Sequence, residues 1–354
     1  MTQEYNKNAI VTKEYLSEQD YNNIKQLEAI CYENDHTNLK LELDYKLFLN
    51  NTAKSNSEQR EDHTNSYNEE HVKEQLNSNP AKIVNEFMYY INGTLVAYLG
   101  ISCFGGNIGE INGMTHPDWR RKGIFNKLFV LAAKEGQSRN YSLILMLSDG
   151  ASESGIAFIK SMGGNYHHSE YRMKLMKYPA FDETSSVTLR ISQNRDKKKI
   201  NELNVILFQD EEESMDESNE GNKTDTLAEC EIADDIDKVG ESTLDNKETS
   251  KEEQLIPVPS TVIYMIEVED VVIGKIHVEY GEHSAFLFGF GILPEYRKQG
   301  YGKAALTETL RLIEAKNIAE VSLDVVCTNS HALNLYIGCG FEQQSIMNYY
   351  QYQS

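Results

Sequence analysis

A chain of 354 residues suits about two domains of roughly 150 residues each. Its 40% hydrophobic and 25% charged residues are the proportions of a globular protein and exclude a fibrous or wholly disordered chain. No uncharged apolar run nears the roughly 18 residues of a membrane span, MTQEYNKN carries no secretory segment, and a net charge of −21 opposes phosphate-based recognition, so we expect a cytoplasmic protein without membrane or nucleic-acid partners.

In chain order, NAIVTKE reads as a strand and Ser17 to Cys31 as a helix. FMYYI and TLVAYLGIS flank the turn pair Asn92-Gly93, a hairpin signal, and IGEINGMT follows as a third strand. A helix starts near Lys122 with Ile124, Leu128, Leu131 and Ala132 at spacings of three and four. SLILML is then short and wholly apolar, as a central strand is, and a second helix spans Ser154 to Met162. His167 and His168 lack metal-ligand spacing and read as an exposed turn. MKYPAFDETSS reads as a linker.

The order then repeats. SVTLRIS and Asp196 to Leu207 give a strand and a helix. TVIYMIEV, the turn Glu269-Asp270, VVIGKIHVEY and AFLFGFGI give three strands. A helix with Leu306, Leu310 and Ile313 on one face, the strand VSLDVV and the helix SHALNLYIGC complete the half. Between its first helix and its hairpin lies an acidic stretch, residues 210 to 253, with 18 acidic and 4 basic side chains and no aromatic residue. Its composition predicts a mobile insertion over 209–256, either a solvated, self-repelling loop or a docking segment for a basic partner.

A shift of 177 residues lays HPDWRRKGIF, His116 to Phe125, on LPEYRKQGYG, Leu293 to Gly302, without a gap. Pro117 meets Pro294, Arg120 meets Arg297, Gly123 meets Gly300 and, farther on, Gly163 meets Gly340. Two similar domains follow, 1–178 and 187–354, joined by 179–186. The five cysteines form no C-x-x-C pair and read as reduced, mostly buried thiols rather than a disulfide framework or zinc site.

Arg297-Lys298-Gln299-Gly300-Tyr301-Gly302 lies between a strand and a helix, where backbone N–H groups at a helix start make an anion site. Its spacing fits neither a P-loop nor a G-x-G-x-x-G dinucleotide turn. Together with Ile292-Leu293-Pro294, Asn329, Ala332, Leu335-Tyr336 and Gly340-Phe341, it resembles the pattern of GCN5-related N-acetyltransferases, V-x-P-x-x-R-x-x-G-x-G followed by N-x-x-A-x-x-L-Y-x-x-x-G-F. The likeness covers most of the second half; the first half is similar more weakly.

That resemblance implies a mixed α/β fold: two tandem domains, each a mostly antiparallel sheet flanked by helices, with a splayed strand pair that admits acetyl-CoA. It implies that the amides of Gln299, Gly300, Tyr301, Gly302 and Lys303 hold the pyrophosphate and that Arg297 and Lys298 lie beside it. The backbone N–H near Ile292 would polarise the thioester carbonyl, and Tyr336 would protonate the departing thiolate. Transfer would be direct, to a primary amine of a cationic small molecule or peptide, without metal. Residue by residue, alternatives stay open: Tyr336 as packing, Asn329 as a helix cap rather than a cofactor contact, Arg297 as a surface cation. Glu279, Glu282 and His283 are the candidates for general base, with a water chain as the other route.

The first half departs at two positions. Phe125 stands where Gly302 stands, and Ile159 where Tyr336 stands, so no phenol is available. Arg120, Arg121, Lys122 and Gly123 still form a basic turn at a helix start, which leaves two readings, cofactor binding without chemistry or a structural partner. For the whole chain the rival to an N-acetyltransferase is a non-catalytic acyl-CoA-binding regulator.

Overall fold

The computed structural model describes residues 8–47, 49–50, 83–103, 107–181, 185–215, 260–281 and 283–353. They divide into two compact units, one of Met1–His168 with Ile346–Ser354, the other of Ser169–Ser345.

In the first unit, Asn92 and Gly93 both take positive φ, 50° and 81°, as a two-residue hairpin turn matched to strand twist requires. They join β2 (Glu86–Ile91) to β3 (Thr94–Ser102). β1 (Asn8–Lys13) pairs antiparallel with β2, and β3 with β4 (Ile108–Thr115). β4 runs parallel to β5 (Leu143–Asp149) only from Ile108↔Leu143 to Ile111↔Met146, after which the two strands part. The helices are α1 (Glu18–Asp35), α2 (Ile124–Ser138) and α3 (Glu153–Ser161).

This sheet is apolar on both faces, which is why its strands read as near-continuous hydrophobic runs. Side chains of β2 alternate: Phe87 and Tyr89 join Leu128, Phe129 and Ala132 of α2, while Met88 and Tyr90 join Ile24, Leu27 and Cys31 of α1. Leu131, expected inward, is 37% exposed; Phe129 and Ala133 take the inner stripe instead.

The second unit repeats the plan. β7 (Thr188–Ile191), β8 (Ser260–Val268), β9 (Val271–Tyr280) and β10 (Ser284–Ile292) are successively antiparallel. β10 is parallel to β11 (Glu320–Val326) from Ser284↔Glu320 to Leu287↔Leu323 and then leaves it. The helices are α4 (Lys197–Met215), α5 (Tyr301–Glu314) and α6 (Ser330–Ile337). Leu306, Leu310 and Ile313 on one face of α5 are fully buried beside Leu287, Val321 and Leu323, each contributing about 1.5–3 kcal/mol.

Three expectations need correction. The units are not cut at 179–186: β6 (Asn165–Leu175) crosses the boundary, and its Glu170–Lys174 pair with β11 in the second unit. Conversely β12 (Phe341–Gln351) supplies Met347–Gln351 to β5 of the first unit. His167 and His168 therefore sit in a strand, not a turn; His168 stacks on Tyr349, centroids 4.2 Å apart. Residues 210–215 prolong α4 rather than open a loop; the rest of the acidic insertion, 216–256, lies outside the described residues. The cysteines described are free, Cys31 and Cys339 buried but Cys103 exposed.

Candidate functional site

In the second unit the chain leaves β10 through a 3-10 turn, Pro294–Tyr296, and enters α5. Lys298 has φ 62° and Gly300 φ 89°, so two left-handed residues within three reverse the chain at the helix start. At Gly300 that conformation favours glycine, and an added Cβ would meet nothing within 4 Å, so the space above the turn is open. Among the described residues no side chain caps α5. The amide of Ala304 reaches Gly300 O at 3.0 Å, leaving those of Tyr301, Gly302 and Lys303 without intrahelical acceptors. These donors, the helix dipole and the parting of β10 from β11 fit a cofactor that carries a pyrophosphate on a long arm.

The arginine of the motif has a local task. Arg297 Nε donates to Ile292 O at 2.8 Å, tying the end of β10 to the turn, and Gln299 Nε2 donates to Glu295 O at 2.9 Å. Asn329 caps α6: its Oδ1 accepts from Ala332 N at 3.1 Å. Tyr336 is 9% exposed within the core cluster, edge-on to Phe341 at 6.0 Å.

The base candidates are not brought to the turn. His283 is exposed at the opposite end of β10, six residues before Gly289, which at about 3.3 Å per residue is roughly 20 Å of strand. Glu279 is nearer, opposite Phe286 in the β9–β10 ladder. Glu282 lies outside the described residues.

The sequence reading missed Lys275 and His277 on β9. Lys275 is 1% exposed, and its Nζ lies 3.1 Å from His277 Nε2 and 3.1 Å from Gly289 O. Burial lowers Lys275 to about 8, and burial together with the Lys275 charge lowers His277 to about 3. The ring is therefore neutral near pH 7, its Nε2 free to accept from the ammonium. Opposite them β10 bulges: Phe288 faces His277, but Gly291 faces Lys275, one residue extra on β10, with Gly289 at φ 54°. The sequence signal was an alternation of polar residues, Lys275, His277 and Glu279, within a mostly apolar strand.

The first unit reproduces the turn. Pro117–Trp119 forms the 3-10 turn, Arg121 and Gly123 have φ 61° and 72°, and Arg120 Nε donates to Thr115 O at 3.0 Å. Lys122 Nζ instead bonds Asp118 O at 2.9 Å and covers the Trp119 ring. Ser152 caps α3 as Asn329 caps α6, accepting from Gly155 N at 3.2 Å. The rest of Arg120 is engaged, for its guanidinium pairs both ways with Asp35, at 2.7 and 2.5 Å. The hydrogen bonds raise Arg120 and lower Asp35 from their ordinary values. A cleft of about 530 Å³ opens beside this turn, with Phe125 and Phe158 packed edge to face in its wall at 4.9 Å. Asn112 Nδ2 and Thr115 Oγ1, both on β4, are buried without a hydrogen-bond partner among the described residues.

Residues 229–341 match the family model described as Acetyltransferase (GNAT) family. Among curated proteins, a [ribosomal protein bS18]-alanine N-acetyltransferase of Escherichia coli strain K12 is 36% identical over 67 residues, 19% of this chain and 45% of that protein. An N-alpha-acetyltransferase of Sulfurisphaera tokodaii is 29% identical over 100 residues, 25% of this chain and 60% of that protein. The chain thus spans about half the length of the curated relatives it matches. A GCN5-related N-acetyltransferase from Sphaerobacter thermophilus has the same fold over 98% of this chain and 96% of its own, with TM-score 0.61 and 14% identity. A tandem GNAT protein from the clavulanic acid biosynthesis pathway covers 76% of this chain and 83% of its own, with TM-score 0.51 and 14% identity.

Proposed function

We propose, from the premise that this chain has the duplicated architecture of the GNAT-fold acetyltransferases, that its second unit transfers acetyl from acetyl-CoA to a primary amine of a small molecule or peptide. GNAT-fold proteins generally bind acetyl-CoA as cosubstrate and an amine as acceptor. The observation that carries the reading is the uncapped start of α5, with Gly300 open above it and β10 and β11 parted beside it.

Each residue then has a task. The amides of Tyr301 to Lys303 bind phosphate oxygens, the helix dipole adding to them. Arg297 holds the turn in register through Ile292 O. Polarising the thioester carbonyl is the task we assign to the backbone amides of the β10 bulge, just before Ile292. Tyr336 supplies a proton to the departing thiolate. Glu279, through a water, accepts the proton of the amine. A chain of net charge −21 suits a cationic acceptor, in the cytoplasm, and not nucleic acid or a membrane surface.

The test is release of free CoA thiol with a panel of amines, beside calorimetric titration of acetyl-CoA. Turnover with one or more amines supports the enzyme. Tight binding without turnover across the panel replaces it with an acyl-CoA-binding regulator, and absence of binding removes both.

A further inference from the structure

Lys275 is an unusual residue to find inside a sheet. Among the described residues its ammonium has no carboxylate partner, only a ring nitrogen and a backbone carbonyl, with the Phe208 ring 5.0 Å from Nζ. A buried cation without a counter-ion is costly to hold, so its place calls for a reason. That place is the bulge of β10. Gly289, the left-handed residue of the bulge, gives its carbonyl to Lys275 Nζ. The parallel ladder to β11 has ended two residues before Gly289, at Leu287↔Leu323. From Phe288 onward the backbone of β10 therefore has no strand partner on that side.

The first unit is an internal control. At the same offset of 177 residues, Tyr98 stands for Lys275, Gly100 for His277 and Asn112 for Gly289. There β3 and β4 pair without a register shift from Ala97↔Thr115 to Ser102↔Glu110, so the bulge is absent. The lysine and the irregular backbone are present together in one unit and missing together in the other. The buried lysine of the first unit, Lys46, has an ordinary structural reason, since it pairs with Glu86 at 3.0 Å.

We propose that Lys275 is a positioning residue for acyl transfer in the second unit: its Nζ anchors the Gly289 carbonyl and so holds the bulge amides in the orientation that polarises the thioester carbonyl. The inference rests on the acetyltransferase reading above. A peptide plane is rigid, so fixing a carbonyl oxygen fixes the N–H of the following residue with it. His277 takes a second ammonium proton and keeps Nζ from rotating away. The charge is on the protein before the reaction begins, which is what preorganised stabilisation of a developing oxyanion requires.

The experiment compares the full chain with Lys275→Met, which keeps length and burial but removes the donor, and with Gly289→Ala. The Ala Cβ would come within 3.3 Å of Lys275 Nζ and of the His277 ring at a positive φ, displacing the same contact by another route. Without ligand, amide hydrogen exchange across 286–292 is expected to quicken at least about tenfold in both variants, with exchange in the core of α5 unchanged. With acetyl-CoA labelled with ¹³C at the acetyl carbonyl, and no acceptor, the bound carbonyl stretch is expected to move back toward its solution frequency. Turnover is expected to fall about 100-fold with KM for acetyl-CoA within about threefold.

Unchanged exchange, carbonyl frequency and turnover in Lys275→Met overturn the proposal while leaving the acetyltransferase reading intact. If Lys275→Met fails to fold, Gly289→Ala decides by the same readouts. If the unaltered protein binds no acetyl-CoA, the reading falls and the proposal with it.

Discussion

The two units share a turn and differ in what surrounds it. Arg120 and Arg297 each donate Nε to the carbonyl that ends the preceding strand, and Gly123 and Gly300 each start a helix in the left-handed region. Among the described residues, only in the first unit is the rest of the guanidinium taken by a carboxylate, Asp35, while Phe125 replaces Gly302 and Ile159 replaces Tyr336. The turn geometry therefore has a folding reason of its own, met whether Gly302 and Tyr336 or Phe125 and Ile159 follow it. An arginine-glycine turn with open space above its glycine, Gly123 or Gly300, marks the scaffold in both units; Gly302, the bulge and the phenol mark the candidate centre.

The largest effect should separate the two turns. Tryptophan at Gly300 must adopt a strained φ and fills the space above the amides, so Gly300→Trp should weaken acetyl-CoA at least about 100-fold by calorimetry. Gly123→Trp should leave that affinity within about twofold if cofactor enters only the second unit. The reverse pattern would transfer the site to the 530 Å³ cleft of the first unit.

Next come the matched residues on α6 and α3. Tyr336→Phe keeps the ring against Phe341 and removes one hydroxyl, so turnover should drop about 100-fold with acetyl-CoA affinity kept. Ile159, 4% exposed, has only packing to lose, and Ile159→Ala should cost about 2–5 kcal/mol in denaturant unfolding without altering cofactor binding. A Tyr336→Phe protein that turns over normally would return that side chain to the core.

How far the sequence carried this comparison depends on range. Hairpins were legible because Asn92-Gly93 and Glu269-Asp270 are local, and all four residues do have positive φ. The Asn329 cap was legible for the same reason. β6 and β12 were not, because NYHHSEYRMKL and FEQQSIMNYYQ lack a clean apolar alternation, and nothing local tells Arg172 that its partner is Asp324, 152 residues away. The Asp35–Arg120 pair, 85 residues apart, was hidden likewise. In the candidate site the motif residues were identified through their resemblance to the GCN5-related N-acetyltransferase pattern. Lys275 and His277 were passed over because a sheet face, unlike a turn, has no sequence signature until the neighbouring strand's bulge is known.

The caps offer a smaller, symmetric test. Ser152→Ala and Asn329→Ala each remove one side-chain acceptor from a helix start, and each should cost about 1 kcal/mol of stability. An added loss of acetyl-CoA affinity in Asn329→Ala alone would give Asn329 a second task that Ser152 lacks.

The smallest effect probes what silences Arg120. Asp35 has its pKa lowered first by the hydrogen bonds from Arg120, so the pair stabilises the fold while the carboxylate is charged. With a folded value below the ordinary 3.8, that contribution is complete above 3.8 and is lost as pH falls through the folded value. Both side chains are about a quarter exposed, which keeps the pair near the surface range of about 1 kcal/mol. Asp35→Asn should therefore be destabilised by up to about 1 kcal/mol at pH 7, the difference from the unaltered protein closing on acidification. The same variant releases the guanidinium beside an open turn. If the engaged arginine alone kept phosphate out of the first unit, calorimetry on Asp35→Asn would find a second acetyl-CoA site. We expect the stoichiometry to stay at one, because Phe125 still stands in the place of the small residue and packs on Phe158.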